Sequence, residues 1–268
     1  MNFKLFLREF LPPIAYKILR ELTGSWRGNY PDWKTAQKKS IGYDSDIILH
    51  KVRDSLLKVK NGEAEYERDS VLFDRIEYSW PLLSVLLWSA LQNKGVLDLV
   101  DFGGSLGSCY YQNKKFISNL KEVHWNIVEQ DEFVKMGRRD FASKQLSFYN
   151  SIEECFSDYN PSLLLINSTL SYIEEPYSLL QRLLKQNFKH VFFDRTPFFN
   201  DSINKDRITI QKVPSSIYPA SYPAWIFNKP NLVDFFNKSG YELVEDFYTN
   251  DMPGFGFCFQ GLIFQKVD

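Results

Sequence analysis

The chain has 268 residues, of which 44% are hydrophobic and 16% aromatic, so it can form a packed core and a largely disordered protein is excluded. Its 32 Lys and Arg residues are balanced by 33 Asp and Glu residues, which leaves a net charge of -1. Because no basic surplus exists to neutralise a phosphate backbone, nucleic acid is not expected as a partner.

The first 75 residues are predicted to form a helical extension to a domain that spans residues 76–268. Basic residues such as Lys4, Arg8 and Lys17 stand among apolar ones there. This composition is typical of a lid packed over a domain, and it would also permit a peripheral contact with the inner face of a membrane. The N-terminus lacks the uninterrupted apolar core of a signal peptide, and no stretch is long enough to span a membrane, so we expect a cytoplasmic protein.

Strands and helices are predicted to alternate through the rest of the chain. Pro81 suits the first turn of a helix that ends near Asn93, and this helix should be buried because it is apolar almost all round. The alternation indicates an α/β fold, with a doubly wound, mostly parallel Rossmann-like sheet. Turn residues at 250–254 predict an antiparallel hairpin at the end. The predicted strands are 96–102, 123–129, 146–149, 162–167, 190–194, 241–247 and 256–266, with helices near 176–185 and 231–238.

A glycine-rich turn follows the first of these strands. The stretch 101–107 reads D-x-G-G-S-x-G, and its glycines allow positive φ angles and the close approach of a ligand. A dinucleotide fingerprint would need glycine where Ser105 and Ser108 stand. The next apolar run ends in Glu129, which can accept hydrogen bonds from ribose hydroxyls. A glycine turn alone can serve packing only, but together with Glu129 it predicts a site for a nucleoside cofactor.

The carboxyl ends of parallel strands supply the other candidate residues of the cofactor site, because ligands of open α/β sheets bind there. Tyr149, at the end of the third strand of this sheet, is expected to flank the adenine ring. The predicted cofactor-binding residues are Asp101, Gly103, Gly104, Ser105, Gly107, Glu129, Gln130, Tyr149, Asn167 and Ser168.

Asp194, at the end of the fifth strand of the sheet, is the candidate catalytic base. It would accept the proton of an acceptor hydroxyl, although a helix cap or an ion pair with Arg195 would equally explain it. Aromatic residues in 217–225, among them Tyr218 and Tyr222, suit either sugar rings or ordinary packing. The histidines fall at strand starts or in the extension, and the three cysteines are far apart. No catalytic triad and no metal site is therefore expected.

Eight stretches of the sequence resemble a family of class I S-adenosylmethionine-dependent methyltransferases that is associated with surface-polysaccharide biosynthesis, in lipopolysaccharide or capsule. The resemblance implies S-adenosylmethionine as the donor and a glycan, nucleotide-sugar or lipid-linked sugar as the acceptor. Together with position in the predicted fold, it gives the substrate-binding candidates Glu67, Arg68, Glu77, Tyr78, Tyr172, Arg195, Tyr218 and Tyr222. The matching stretches are YERDSVLFD, EYSWPLL, DFGGSLGS, WNIVEQ, FYNSIEEC, SYIEEPYSLL, DRTPF and IYPASYPAWI.

Two functions remain open at this point. The first is O-methylation of a sugar hydroxyl in a surface-glycan precursor. The second is a non-catalytic nucleoside-binding or accessory protein that retains the methyltransferase fold, since a fold alone does not establish an activity.

Overall fold

The computed structural model of the chain describes residues 25–41, 45–213, 220–251, 254 and 256–267. The first elements are β1 (Trp26–Tyr30), α1 (Trp33–Lys38), α2 (Ser45–Lys60), β2 (Tyr66–Arg68), β3 (Val71–Phe73), α3 (Trp80–Gln92), β4 (Val96–Phe102), α4 (Ser108–Ile117), β5 (Glu122–Val128), α5 (Asp131–Asp140) and β6 (Leu146–Tyr149). They are followed by α6 (Ile152–Asp158), β7 (Leu163–Asn167), a 3-10 turn (Leu170–Tyr172), α7 (Pro176–Leu184), β8 (His190–Phe199), β9 (Arg207–Lys212), β10 (Ser221–Ile226), α8 (Lys229–Lys238), β11 (Tyr241–Tyr248) and β12 (Phe257–Lys266).

A seven-stranded sheet in the order β11-β12-β8-β7-β4-β5-β6 forms the centre of the molecule. Strands β6, β5, β4, β7 and β8 are parallel to their neighbours in that series, whereas β12 is antiparallel to both β8 and β11. The predicted doubly wound sheet with a C-terminal antiparallel hairpin is thereby confirmed. The chain places β5 and β6 on one side of β4, and then β7 and β8 on the other side. The ends of β4 and β7 therefore border the crevice where ligands of such sheets bind.

Helices cover both faces of the central sheet, and successive residues of β4 show why. Leu99 belongs to the core on the side of α2–α5, whereas Val100 belongs to the core on the side of α6–α8. Side chains alternate across a strand, so a strand with buried apolar side chains on both sides must be covered on both faces.

Helix α3 is less buried than its composition predicts. Leu82 and Leu86 are fully buried, but Leu87 is 39% exposed and Leu91 is 79% exposed. An apolar face does not require burial when its neighbours already fill the core, and the expectation of a helix buried all round is therefore wrong.

A smaller antiparallel sheet in the order β1-β9-β10 lies outside the central one. Its strands β9 and β10 occupy a region where the sequence predicted no strand. Residues 26–30 of the predicted helical extension form β1 and pair with β9, so the extension is helical only in part. The boundary between residues 75 and 76 stays a prediction.

The hairpin of β2 and β3 belongs to the same predicted extension. Its strands pair Tyr66 with Phe73, and the two residues of its turn, Asp69 and Ser70, have positive φ angles of 53° and 67°. Positive φ at both central residues is the geometry that matches the twist of a two-residue hairpin. Within the described ranges, the structure contains no helix with the length and apolar character needed to cross a membrane.

Candidate functional site

The glycine-rich turn between β4 and α4 is held tightly against the rest of the sheet. Gly103 and Gly107 have φ angles of 71° and 106°. A Cβ atom on Gly103 would lie 2.3 Å from Cγ2 of Thr169, and one on Gly104 would lie 2.4 Å from the carboxyl carbon of Asp101. Ser105 adopts a φ of 55°, so the left-handed conformation is kept at the position where the sequence has serine instead of glycine.

Glu129 closes one side of this turn. Its Oε1 accepts a hydrogen bond from the amide of Ser105 at 3.2 Å, and its Oε2 accepts one from the amide of Gln130 at 2.8 Å. Burial raises the pKa of the carboxyl group. The two bonds fix the carboxylate at the carboxyl end of β5, beside the amides of the turn.

Asp101 lies beneath the turn and is fully buried. Its Oδ2 accepts a hydrogen bond from Nε1 of Trp125 at 3.0 Å, while Oδ1 is buried with no hydrogen-bond partner among the described residues. Burial raises the pKa of Asp101 to about 7, against the hydrogen bond from Trp125, and the charge of Glu129 raises it further. An unpartnered carboxylate oxygen at this place favours a cation and disfavours a phosphate.

The raised pKa of Asp101 makes the stability of the protein dependent on pH. The folded state binds the proton more tightly than the unfolded state, so this stabilising term is complete below about pH 4 and is lost as the pH rises through about 7. We expect the melting temperature to fall between about pH 5 and pH 8, and to fall less in Asp101→Asn. Thermal unfolding of both proteins across that range checks this, with exposed Asp74→Asn as the matched control. An equal fall of the melting temperature with pH in the wild type and in Asp101→Asn would contradict this role of Asp101.

Asn167 and Asp194 face each other in register where the parallel pairing of β7 and β8 ends. Asp194 is buried, and its Oδ1 accepts a hydrogen bond from the amide of Arg195 at 2.9 Å. Burial raises the pKa of Asp194 to about 6, and hydrogen bonds from the Ser79 hydroxyl and from Arg195 act in the opposite direction. Oδ1 of Asn167 is buried and has no partner among the described residues.

The β2–β3 hairpin brings more acidic residues to the same end of the sheet. Glu67 is buried and accepts hydrogen bonds from the Ser108 hydroxyl and, at 3.2 Å, from the amide of Ser70. Burial raises the pKa of Glu67 to about 7. Since Ser108 is the first residue of α4, this contact attaches the hairpin to the glycine-rich turn.

Arg195 connects the hairpin to a second loop. Its Nη2 lies 3.0 Å from Oδ2 of Asp69 in the hairpin turn, and its Nε lies 3.2 Å from Oδ2 of Asp251 in the loop after β11. The Arg195 side chain is largely covered, with 20% of it exposed. Two carboxylates therefore already neutralise Arg195, and an additional ion pair with Asp194 is not needed for that purpose.

A cleft of about 170 Å³ opens between these elements. It brings together six of the predicted residues, taken from the cofactor, catalytic and substrate sets. They are Arg68, Glu77, Tyr78, Asn167, Asp194 and Arg195, and the cleft is also lined by Tyr66, Ser79, Trp80, Pro81, Gln112, Phe247, Tyr248, Thr249, Asn250 and Asp251.

Other predicted residues lie away from the lining of the cleft. Tyr172 and Tyr222 contact each other edge-on with ring centroids 5.2 Å apart, and the Tyr172 hydroxyl donates to Gln211 at 2.7 Å. Tyr149 is buried, with its hydroxyl donating to Asp158 at 3.2 Å. Tyr218 lies outside the described residues. The roles given to these tyrosines, and to Gln130 and Ser168, stay predictions.

Sequence reasoning missed several residues of the cleft. Ser79 and Trp80 come from the start of α3, and Tyr248 and Asp251 come from the end of β11 and the loop behind it. The candidate residues came from the carboxyl ends of the first five strands of the sheet, and these include neither the start of α3 nor the end of β11. Within the described part of the chain, no group of three or more His, Cys, Asp and Glu residues is placed to hold a metal ion.

Comparison with known proteins gives similarity at the level of structure. The sequence matches no family model and no curated protein. The N-terminal domain of EvdMO1, solved in the presence of SAH (S-adenosylhomocysteine) and D-fucose, has a TM-score of 0.50 and 10% identity, covering 80% of this chain and 96% of that one. Magnesium protoporphyrin IX methyltransferase from Synechocystis PCC 6803, solved with SAM (S-adenosylmethionine), has a TM-score of 0.45 and 10% identity, covering 99% and 98%.

A third solved structure is the 1,6-didemethyltoxoflavin-N1-methyltransferase of Burkholderia thailandensis. Its TM-score is 0.44 at 13% identity, with 85% of this chain and 92% of that chain covered. At such identities the likeness concerns the fold alone. The strand order with its single antiparallel strand β12, together with the similarity to the EvdMO1 domain, shows that this chain has the Rossmann-like fold of class I methyltransferases.

Proposed function

We propose that the protein is an S-adenosylmethionine-dependent methyltransferase that methylates a sugar hydroxyl of a surface-glycan precursor. One observation carries the proposal: a glycine-rich turn flanked by the fully buried carboxyl group of Asp101 and by the half-buried Glu129 adjoins a cleft that contains the buried carboxyl group of Asp194. The acceptor is a glycan, a nucleotide-sugar or a lipid-linked sugar, as the sequence resemblance implies.

The carboxyl groups beside the turn favour the binding of a positively charged nucleoside. S-adenosylmethionine carries a sulfonium and an ammonium group, and Oδ1 of Asp101 is a buried acceptor that has no partner among the described residues. Glu129 would hold the ribose hydroxyls. A dinucleotide would instead bring its pyrophosphate against two carboxylates, which costs free energy. The SAH in the EvdMO1 structure is consistent with this choice.

The protein's part in the reaction is to align the acceptor and remove a proton. When bound, the cofactor supplies a methyl group on a sulfonium sulfur that leaves as a neutral thioether. Asp194, with a pKa of about 6, is ionised at neutral pH and accepts the proton of the attacking hydroxyl group. Ser79 and the amide of Arg195 orient its carboxylate, and the free Oδ1 of Asn167 is an acceptor for a neighbouring hydroxyl.

Loss of the Glu129 carboxylate should weaken cofactor binding. Glu129→Ala removes the acceptor for two ribose hydroxyls, so we expect the binding free energy of S-adenosylmethionine to fall by about 1–3 kcal/mol. Isothermal titration calorimetry measures this, with the exposed Glu153→Ala as the matched control. If Glu129→Ala binds S-adenosylmethionine as tightly as the wild type, Glu129 does not bind the ribose.

The acceptor is tested in two steps. Mass spectrometry of surface glycans from cells with and without the gene should show the loss of one methyl group. Purified protein should then transfer a labelled methyl group to the glycan precursor that lacks it. Tight binding of S-adenosylmethionine without any transfer would instead favour the non-catalytic alternative.

A further inference from the structure

Trp80 presents a large aromatic surface at the cleft. The residue is 60% exposed although it lines the cleft, whereas the other tryptophans of the chain are buried or half-buried. Two neighbouring rings hold the indole in place. Its centroid lies 5.2 Å from the ring centroid of Tyr78 and 6.1 Å from that of Phe116, which it contacts edge-on. An exposed indole fixed by its neighbours provides a flat apolar surface at little entropic cost to a ligand.

The charged residues of the cleft are already neutralised by one another. Arg195 is paired with Asp69 and Asp251, and Nη1 of Arg68 lies 3.8 Å from Oε2 of Glu77. Both guanidinium groups of the described lining therefore have carboxylate partners. A phosphate or carboxylate entering the cleft would meet no unpaired cation there and would lie near the ionised carboxylate of Asp194.

Polar groups without a charge partner remain available in the cleft. The Oδ1 atom of Asn167 is buried without a hydrogen bond among the described residues, and Asp194 presents a carboxylate. Hydroxyl groups donate to both kinds of acceptor. The volume of about 170 Å³ is small beside the ~300–1,000 Å³ of sites that enclose a drug-sized ligand, which fits one ring and not a whole precursor.

From these observations we infer that the cleft binds a single uncharged monosaccharide ring, with the apolar face of the ring stacked on Trp80 and its hydroxyls on Asn167 and Asp194. This inference rests on the proposed function and specifies its acceptor. Any phosphate, nucleotide or lipid part of the precursor stays outside the cleft. The paired guanidinium groups and the carboxylate of Asp194 thereby select neutral rings over uronic acids and sugar phosphates.

Tryptophan fluorescence tests the inference directly, because Trp80 is the most exposed indole. The protein is titrated, with and without SAH, with methyl glycosides of neutral hexoses, with methyl glucuronide and with glucose 1-phosphate. We expect the neutral glycosides to shift the emission at about millimolar concentration and the charged ones to bind about tenfold more weakly or not at all. The shift should vanish in Trp80→Phe. Tighter binding of the charged sugars, or no response to any neutral glycoside, would overturn the inference.

Kinetics give a second readout. With a neutral acceptor, Trp80→Ala should raise KM about tenfold and leave kcat nearly unchanged. Stacking on Trp80 stabilises the bound acceptor and the transition state to the same extent, so its loss weakens binding without raising the barrier from the bound state. Trp80→Phe should recover most of the loss, and Leu91→Ala, on the exposed face of the same helix, should behave as the wild type. An unchanged KM in Trp80→Ala would contradict the stacking. Calorimetry with S-adenosylmethionine on the same preparation separates the two proposals, since absent cofactor binding would refute the proposed function and not the sugar site.

Discussion

Asp194→Asn is expected to lower the turnover number by about 10²–10⁴-fold while cofactor affinity stays close to that of the wild type. An amide keeps the size of the side chain and can still accept the hydrogen bonds from Ser79 and from the amide of Arg195, but it cannot take a proton. Turnover by the wild type should rise with pH through about pH 6, because the pKa of Asp194 is raised to about 6 and the base acts in its ionised form.

The same variant distinguishes a catalytic from a structural Asp194. Burial disfavours the ionised carboxylate, so asparagine should leave the melting temperature at neutral pH unchanged or higher. A catalytic residue thus gives a folded, inactive variant. A lowered melting temperature with near-normal activity per folded molecule would show that Asp194 only supports the structure.

Gly103→Val is expected to abolish binding of S-adenosylmethionine, with a loss of at least about 100-fold. The residue has a φ of 71°, and a Cβ atom there would lie 2.3 and 2.5 Å from Cγ2 and Oγ1 of Thr169. Either the turn or Thr169 must move, and moving the turn displaces the amides against which the cofactor is proposed to bind. Calorimetry on the folded variant measures the effect.

Two further variants keep this test decisive. Gly62 has a similar φ of 76° with no atom within 4 Å of an added Cβ, so Gly62→Val reports backbone strain without the collision. If Gly103→Val is poorly folded, Gly103→Ala combined with Thr169→Ala removes the two atoms that clash most. Normal affinity in Gly103→Val would show that the cofactor does not depend on this turn.

Strands whose limits are set locally could be predicted from the sequence. Strand β4 follows Gly95 and ends before Gly103, and its observed range, Val96–Phe102, is the predicted one. Strand β8 continues beyond the predicted 190–194 to Phe199 because β12 pairs with that part. Strands β9 and β10 were not predicted, because their sheet also depends on β1, whose Tyr30 pairs with Ile208, 178 residues further along the chain.

The same distinction applies to the site. Asp101, Glu129, Asn167 and Asp194 could be placed at one end of the sheet from the sequence, because topology alone brings the ends of parallel strands together. Trp80 was not found, because its place at the cleft depends on how the start of α3 packs against α4. A sequence of apolar residues does not reveal which of them stays uncovered.

The arrangement around Arg195 has a consequence for the motions that admit an acceptor. The guanidinium group binds Asp69, 126 residues earlier, and Asp251, 56 residues later. If either segment moved away alone, a largely buried positive charge would lose one of its two counterions, which is unfavourable. The hairpin and the loop should therefore undergo local unfolding as one cooperative unit, with amide protons in both that exchange at a common rate.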